Sequence, residues 1–231
     1  MTGPSPSKRS AFSLIELMVV LAVVGLLLAF AAPNLFSLIS ANTLTGEGTL
    51  LRNQFTYAQQ MAVSKSADVE VRFFKFKDAD SARTEESFGA YQLFQYNQDG
   101  EMAPVSTLFR IRAPVAVHRE STLLDPSANS ATAKDKKFGY AAPTTGRYDA
   151  PTGSGGEIVS TEYVAFRFRP DGSTDLPNRS RGGGDTWYIV LVQGEGAIDI
   201  RLDSTSEEER IHNFVCLQVN PYNGQIAEFR P

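Results

Sequence analysis

The sequence predicts an α+β fold in which a long N-terminal α-helix, transmembrane in its first half, packs on an antiparallel β-sheet domain. Three observations predict it. The stretch Leu17 to Ala32 contains no polar side chain, helical spacing of apolar residues continues to about Lys65, and from Val69 onward apolar and polar residues alternate. With 231 residues, 42% of them hydrophobic and 21% charged, the chain is long enough for one such domain and a helical extension.

The N-terminal part divides into a basic leader, 1–11, and a predicted transmembrane helix, 12–39. Lys8 and Arg9 precede the apolar run, and the next basic residue is Arg52. Because positively charged flanks stay in the cytoplasm, the leader is expected inside the cell and the rest of the chain outside the membrane. The sequence therefore predicts a single-pass membrane protein with an extracytoplasmic C-terminal domain.

An extracytoplasmic amphipathic helix is predicted over 40–66. Apolar or small residues recur on one of its faces at intervals of three and four, namely Leu44, Gly48, Leu51, Phe55, Ala58 and Ala62. This spacing is typical of a helix that packs on a domain through one face. The second half of the helix is therefore expected to cover the β-domain.

A β-rich domain is predicted over 67–231, because the period of the apolar residues changes to two. Strands are expected at 69–73, 91–96, 107–112, 115–118, 163–169, 187–193, 197–202, 213–220 and 225–230. The run WYIVLV at 187–192 is apolar on both faces, which predicts a central strand covered by the helix. The sequence Pro221-Tyr222-Asn223-Gly224 predicts a hairpin turn. The stretch 125–157, rich in Ser, Ala, Thr, Gly and Pro, predicts a long surface loop.

Glu16 is a charged residue inside the apolar run, where a carboxylate costs about 2.5–3.5 kcal/mol on insertion scales. A cut between Ala11 and Phe12 would expose an α-ammonium one helical turn from this carboxylate. Glu16 could then pair with that amine, or with the amine of an adjacent subunit. The second pairing would fix the axial register between packed helices.

Two other interpretations share the same membrane topology. Ala29-Phe30-Ala31 has the A-x-A form of a signal-peptide cleavage site, so a cut after Ala31 would release a secreted protein. Without any cut the helix would be a permanent anchor. Either case predicts a secreted or membrane-anchored β-domain that binds an extracytoplasmic ligand.

The run Phe12-Ser13-Leu14-Ile15-Glu16-Leu17, behind a short basic leader, resembles the prepilin processing and N-methylation motif of type IV pilins and pseudopilins. Pro33 falls where the helices of this family commonly carry a kink-forming proline. Ala11 departs from the pattern, since the family usually has glycine before the cut. The stretches FTYAQQMAVSKSADVEVRF, FRFRPDGS and WYIVLV resemble minor pseudopilins of the GspH and FimT type. The ending NFVCLQVNPYNGQIAEFRP most resembles the pilin-like group called Verru_Chthon cassette protein D.

The resemblance implies a structural subunit and not an enzyme, namely a minor pseudopilin of a type II secretion or type IV pilus-like filament. It implies processing before Phe12 by a prepilin peptidase/methyltransferase and residence in the inner membrane. It also implies assembly with other pilin-like subunits through Glu16. No cofactor is implied.

The residues themselves offer no catalytic pattern. The two histidines, His118 and His212, lack HExxH spacing, and the sequence has no GxSxG elbow, P-loop or dinucleotide fingerprint. The lone Cys216 lies in an apolar, strand-like run, which indicates a buried and inert thiol. A structural role is therefore expected for these residues.

Three carboxylates, Asp171, Asp175 and Asp185, flank a loop rich in glycine and arginine, and some major pseudopilins hold calcium in a comparable late loop. Their spacing fits no defined calcium motif. Turn formation explains Asp171-Gly172. Metal binding is therefore the less favoured hypothesis.

Basic residues in and near the same loop raise the question of DNA, because some FimT-like proteins bind it. Arg179 and Arg181 lie in the loop, whereas Arg167 and Arg169 alternate with phenylalanines and are expected on the water-facing side of a half-exposed strand. The net charge of −4 gives no general attraction to phosphate. Nucleic-acid binding is therefore not expected.

Overall fold

The computed structural model describes residues 13–76, 87–96, 101–128, 142–151, 158–177, 186–194, 211 and 213–231, with the backbone alone at 30–40, 76, 87, 150–151 and 158–159. By its internal contacts the chain divides into two units, Met1–Ile39 and Ser40–Pro231. The predicted strand at 197–202 lies outside the described residues.

One helix, α1, runs from Leu14 to Lys65. Its predicted packing face is confirmed, since the side chains of Leu44, Leu51, Phe55, Ala58 and Ala62 are all buried. The helix ends because Ser66 adopts a left-handed conformation with φ 52°. The Ala67 N–H then donates to Ala62 O at 3.2 Å, and the Ser66 N–H donates to Val63 O at 3.4 Å. These two bonds form a Schellman motif that satisfies the last carbonyl groups.

The described strands form two antiparallel sheets, which extends the prediction of an antiparallel β-domain. The first sheet contains β1 (Val69–Phe76), β2 (Ser87–Tyr96), β3 (Met102–Pro104), β4 (Phe109–Arg110), β6 (Thr144–Pro151) and β7 (Ile158–Phe168). Its order is β3-β2-β1-β7-β6, and β4 also pairs with β2. The central strand β1 has Val71 opposite Leu93 on one side and opposite Phe166 on the other.

The second sheet contains the strands β5 (Val115–Val117), β8 (Trp187–Gln193), β9 (Phe214–Val219) and β10 (Ile226–Phe229). Their order in the sheet is β10-β9-β8-β5. The strand β8 pairs on both sides, with β9 and with β5, as the apolar run WYIVLV predicted. Within this sheet Ile189 lies opposite Leu217, and both are fully buried.

One hydrophobic core joins the second half of α1 to the inner faces of both sheets. The ring of Phe55 lies near its centre and meets Phe73 and Phe166 edge to face, at ring-centroid distances of 6.0 and 5.5 Å. Edge-to-face pairs of this kind add about 0.5–1.5 kcal/mol each beyond the burial of their area. Phe55 is therefore the anchor of the helix on the first sheet.

The C-terminal hairpin docks on the helix and on the turn after β7. The side chain of Gln59 donates from Nε2 to Gly172 O at 3.0 Å and to Asn223 O at 2.6 Å. Gly224, with φ 62°, lies so close that a Cβ there would come within 2.4 Å of Gly172 O. The predicted turn Pro221 to Gly224 is therefore held in place by tertiary contacts as well as by its own sequence.

The predicted surface loop 125–157 is partly wrong. It contains the short 3-10 helix Pro126–Ala128 and the edge strand β6, and β7 begins at Ile158 instead of near Tyr163. The strand β6 pairs with β7 from Thr144 opposite Ala165 to Pro151 opposite Ile158. Its sequence, TTGRYDAP, carries glycine and proline, which an edge strand tolerates but a local sequence pattern does not indicate.

Candidate functional site

Ser13 caps the first turn of α1. The backbone N–H of Glu16 donates to Ser13 Oγ at 3.2 Å and to Ser13 O at 3.1 Å. This is the bond from the third helical residue to the N-cap in a Ser-x-x-Glu sequence. Ser13 was not predicted as a helix cap, although the Ser-x-x-Glu spacing in the sequence indicates one.

Glu16 itself lies in the first turn of α1, and its side chain is exposed. A carboxylate in the first turn interacts favourably with the helix dipole, typically by about 0.3–1 kcal/mol. Glu16 therefore has a local reason to stand at this position in addition to the predicted pairing with an amine. Both roles require the negative charge of the side chain, whereas the bond to Ser13 uses only the backbone N–H of Glu16.

The side chains from Ser13 to Ala29 are exposed all round the helix. Leu14 is 78% exposed and Leu28 is 63% exposed, which are values that large aliphatic side chains rarely have in a folded domain. None of the helices in the described part of the chain is both long enough and apolar enough to cross a membrane.

The remaining predicted residues of this segment are only partly placed. Ala11 and Phe12 lie outside the described residues, so the pairing of a Phe12 amine with Glu16 stays a prediction. The backbone of α1 is helical through Pro33. A kink at this residue stays a prediction as well.

The profile of the prokaryotic N-terminal methylation motif matches residues 6–32. The matched segment contains the Ala11–Phe12 junction, the Ser13 cap and Glu16, and it leads into a helix whose second half packs on antiparallel sheets. The predicted prepilin processing and methylation motif is thereby confirmed over this segment. The α+β fold class is confirmed by the helix and the two antiparallel sheets.

One solved structure similar to this protein is the crystal structure of the type IV minor pilin FimU of Pseudomonas aeruginosa. The two chains share 13% sequence identity, and the match covers 82% of this chain and 93% of that chain with a TM-score of 0.40. No curated protein matches the sequence.

Two of the three candidate metal-binding carboxylates make structural hydrogen bonds. Asp171 Oδ1 accepts from Ser173 Oγ at 2.6 Å and from the Ser173 N–H at 2.9 Å, and these bonds lower the pKa of Asp171. Asp175 Oδ1 accepts from the Arg167 N–H at 2.7 Å. Asp185 lies outside the described residues, and among those described no group of three or more metal-ligating side chains occurs.

Burial is the main influence on Asp175, and it raises the pKa of this carboxyl to about 7. The hydrogen bond from Arg167 and the charges of Arg167 and Arg169 act in the opposite direction, whereas the charge of Glu70 acts in the same direction as burial. Asp175 therefore changes its charge near neutral pH, inside the loop that joins β7 to β8.

Arg179 and Arg181 lie outside the described residues. Arg167 alternates along β7 with the buried Phe166 and Phe168, as expected, and its side chain is 33% exposed. Its Nε donates to Glu70 Oε2 at 2.7 Å, and Arg72 Nε donates to Glu70 Oε1 at 2.5 Å. Glu70 is 3% exposed. On the outer side of the first sheet its carboxylate is therefore covered by neighbouring side chains, and it forms ion pairs with both arginines.

Aromatic rings enclose the guanidinium group of Arg72. Its Cζ lies 4.1 Å from the ring centroid of Phe94, 4.5 Å from that of Tyr163 and 5.5 Å from that of Tyr148. Both carboxylate oxygens of Glu70 are occupied by arginines, so the ionic group is already satisfied. This cluster can hold the four strands β1, β2, β6 and β7 together, and it leaves Glu70 no free oxygen for proton transfer or for a metal.

Glu47 is a second buried carboxylate that the sequence analysis missed. It is 2% exposed on the packing face of α1, and its Oε1 accepts from Arg112 Nε at 2.6 Å. Burial and, secondarily, the charge of Glu47 raise the pKa of the buried Tyr91 hydroxyl. The signal was present in the sequence, because Glu47 lies three residues after Leu44 and four before Leu51 on the apolar face.

The histidine and cysteine positions have structural surroundings. His118 is 2% exposed at the end of β5, and its Nδ1 accepts from the Glu120 N–H at 3.2 Å. His212 lies outside the described residues. Cys216 is partly buried on β9, and burial raises the pKa of its thiol to about 11, which keeps it protonated and unreactive at neutral pH.

Proposed function

We propose that this protein is a minor pseudopilin of the GspH/FimT type, a structural subunit of a type II secretion or type IV pilus-like filament. The observation that carries the proposal is the match of the N-terminal methylation motif to residues 6–32. In this proposal the segment 12–39 stays in the inner membrane until assembly, and the β-domain lies outside the cytoplasm. The domain would then present its surface to neighbouring subunits or to cargo.

Glu16 has a separate role from that of Ser13 in this proposal. The Ser13 hydroxyl supports the local start of the helix, whereas the Glu16 carboxylate pairs with the Phe12 amine of its own or an adjacent subunit. Burying an unpaired carboxylate among apolar helices costs several kcal/mol, and pairing with an amine offsets that cost. Charge at position 16 is therefore required for assembly but not for insertion.

Glu16→Gln tests this role, because glutamine keeps a polar side chain suited to the third helical position but has no charge. The variant is expected to reach the membrane at the wild-type level and to be recovered with sibling pilins at least ~10-fold less, in line with the loss of a charge-assisted pair. Ser13→Ala is the matched control, since it removes the cap and leaves the charge. Equal recovery of Glu16→Gln and wild type would refute the assembly role.

Processing before Phe12 by a prepilin peptidase/methyltransferase is tested by the mass and N-terminal sequence of the protein from native membranes. The expected product starts at N-methyl-Phe12. A start at Ala32 would instead favour a secreted ligand-binding β-domain, and a start at Met1 would favour a tethered one. The A-x-A sequence at Ala29-Phe30-Ala31, which is typical of a signal-peptide cleavage site, supports the secreted form.

A further inference from the structure

A groove of about 540 Å³ lies between the second half of α1 and the C-terminal hairpin. We call it the amide groove. Its walls are formed by Thr56 and Gln59 of the helix, by Gln218 and Asn220 at β9, and by the backbone and side chains of 225–227 at β10. Every side chain in this lining is uncharged, and four of them carry an amide group.

Two side-chain amides in the amide groove are oriented by hydrogen bonds. In each amide one polar atom makes the bond, and the other polar atom stays available to a ligand. Gln59 Nε2 donates to Gly172 O and Asn223 O, which fixes the amide and leaves Gln59 Oε1 as an acceptor. Asn220 Oδ1 accepts from the Tyr222 N–H at 2.9 Å, which leaves Asn220 Nδ2 as a donor. Neither Oε1 nor Nδ2 has a hydrogen-bond partner among the described residues.

Contacts between helix and hairpin close the groove at both ends. At one end Gln59 itself bridges to the turn at Asn223. At the other end Arg52 Nη1 lies 3.9 Å from Glu228 Oε2, and Arg230 Nη1 donates to Thr45 Oγ1 at 3.2 Å. A ligand must therefore be compact, because a chain cannot run through.

The edge of β10 is also too short to add another strand. The Asn220 N–H donates to Gln225 O at 2.9 Å, so the backbone groups of Gln225 and, by alternation, Ala227 face β9. Ile226 presents its backbone groups to the open side, and Glu228 is already at the closed end. Strand addition needs a longer row of free groups than this edge offers.

We infer that the amide groove binds a neutral, polyhydroxylated ligand with the size of a mono- or disaccharide. Hydroxyl groups both donate and accept, and thus match a site that presents a fixed acceptor and a fixed donor without charge. The volume lies in the range of small-molecule sites. Ile226 packs against the core, so the exposed Ala227 supplies the apolar surface for the less polar face of a sugar ring. A charged ligand would find no counter-charge in the groove lining.

The test is a ¹H–¹⁵N NMR titration of the full chain in dodecylphosphocholine, a detergent without a sugar head group. The probes are maltose and N,N′-diacetylchitobiose. Either neutral disaccharide is expected to shift the side-chain amide signals of Asn220 and Gln225 in a saturable manner. The signals of Asn53, an exposed helix residue outside the groove lining, are expected to stay unchanged.

Asn220→Asp gives the site-specific variant, because its Oδ1 still accepts from the Tyr222 N–H while the donor is lost and a charge is gained. Affinity for the disaccharide is expected to fall by at least ~10-fold. Gln225→Ala, which leaves both fixed polar bonds in place, should weaken binding less, and Asn53→Asp should leave it unchanged. Near-ultraviolet circular dichroism of the buried Trp187 verifies the fold of each variant.

Three results would overturn the inference. The first is the absence of saturable shifts with both disaccharides, and the second is equal affinity of wild type and Asn220→Asp. The third is binding of the acetylated tetrapeptide Val-Thr-Val-Thr amide in place of the disaccharides, which would make the groove a peptide site.

Discussion

At the scale of single residues, the two glycines that flank Glu47 have opposite surroundings. A Cβ at Gly48 would lie 2.7 Å from Val215 Cγ1, whereas a Cβ at Gly46 would have nothing within 4 Å. Gly48→Ala is expected to destabilise the domain by about 1–3 kcal/mol, because the stiff Val215 side chain must move. Gly46→Ala should stabilise it by roughly 0.5–1 kcal/mol through helix propensity. Urea unfolding of both variants checks the contrast, and equal effects would contradict this packing.

Asp175 is the residue at which pH should act on stability. Its pKa is about 7 in the fold and about 3.9 in an unfolded chain, so the folded state binds the proton more tightly between these values. Stability from this group is therefore present below about pH 4 and is lost as pH rises to about 7.

Asp175→Asn keeps an oxygen for the Arg167 N–H and removes the titration. The excess stability of the variant over wild type should be smallest near pH 4.5 and should be greater at pH 8 by roughly 2 kcal/mol or more. Urea unfolding at pH 4.5, 6 and 8 measures the difference, with Asp171→Asn as the control at an exposed turn. A difference that does not change with pH would show that Asp175 ionises normally.

At the scale of elements, the hairpin of β9 and β10 depends on one helix side chain. Gln59→Ala removes both bonds from Nε2 to Gly172 and Asn223. The amide proton of Gly224, which donates to Asn220 O at 2.9 Å, should then exchange with solvent at least ~10-fold faster, because the turn opens more often. Gln60→Ala, the exposed neighbour, should leave exchange unchanged, and hydrogen-exchange NMR distinguishes the two. Equal exchange rates in both variants would mean that the turn sequence alone holds the hairpin.

Elements whose pattern is local were predictable from sequence, and those that depend on a distant partner were not. The packing face of α1 and the strand β8 follow from spacing and composition within a single segment. The strand β6 gains its structure from pairing with β7, and the burial of Glu70 depends on Arg72 from its own strand and on Arg167 from β7. The Ser13 cap was readable in Ser-x-x-Glu, but the amide groove arises only when α1 meets the hairpin.

At the scale of the whole molecule, every buried core side chain that the structure describes lies within Ser40–Pro231. A chain that begins at Ser40 is therefore expected to fold without residues 1–39. Cooperative thermal unfolding and the near-ultraviolet circular dichroism of Trp187 would measure this, with the Phe55→Ala variant as the destabilised reference, at a cost of about 3–5 kcal/mol. A truncated chain without a cooperative transition would mean that the first segment contributes to folding.

The contacts of Glu228 and Arg230 with Arg52 and Thr45 join β10 to a helix that is made much earlier in synthesis. The domain can therefore close only after β10 has left the ribosome. Until then the edge of β9 stays unpaired, and an unpaired strand edge in a partly made chain favours aggregation. The late strand thus protects the sheet from association with other chains.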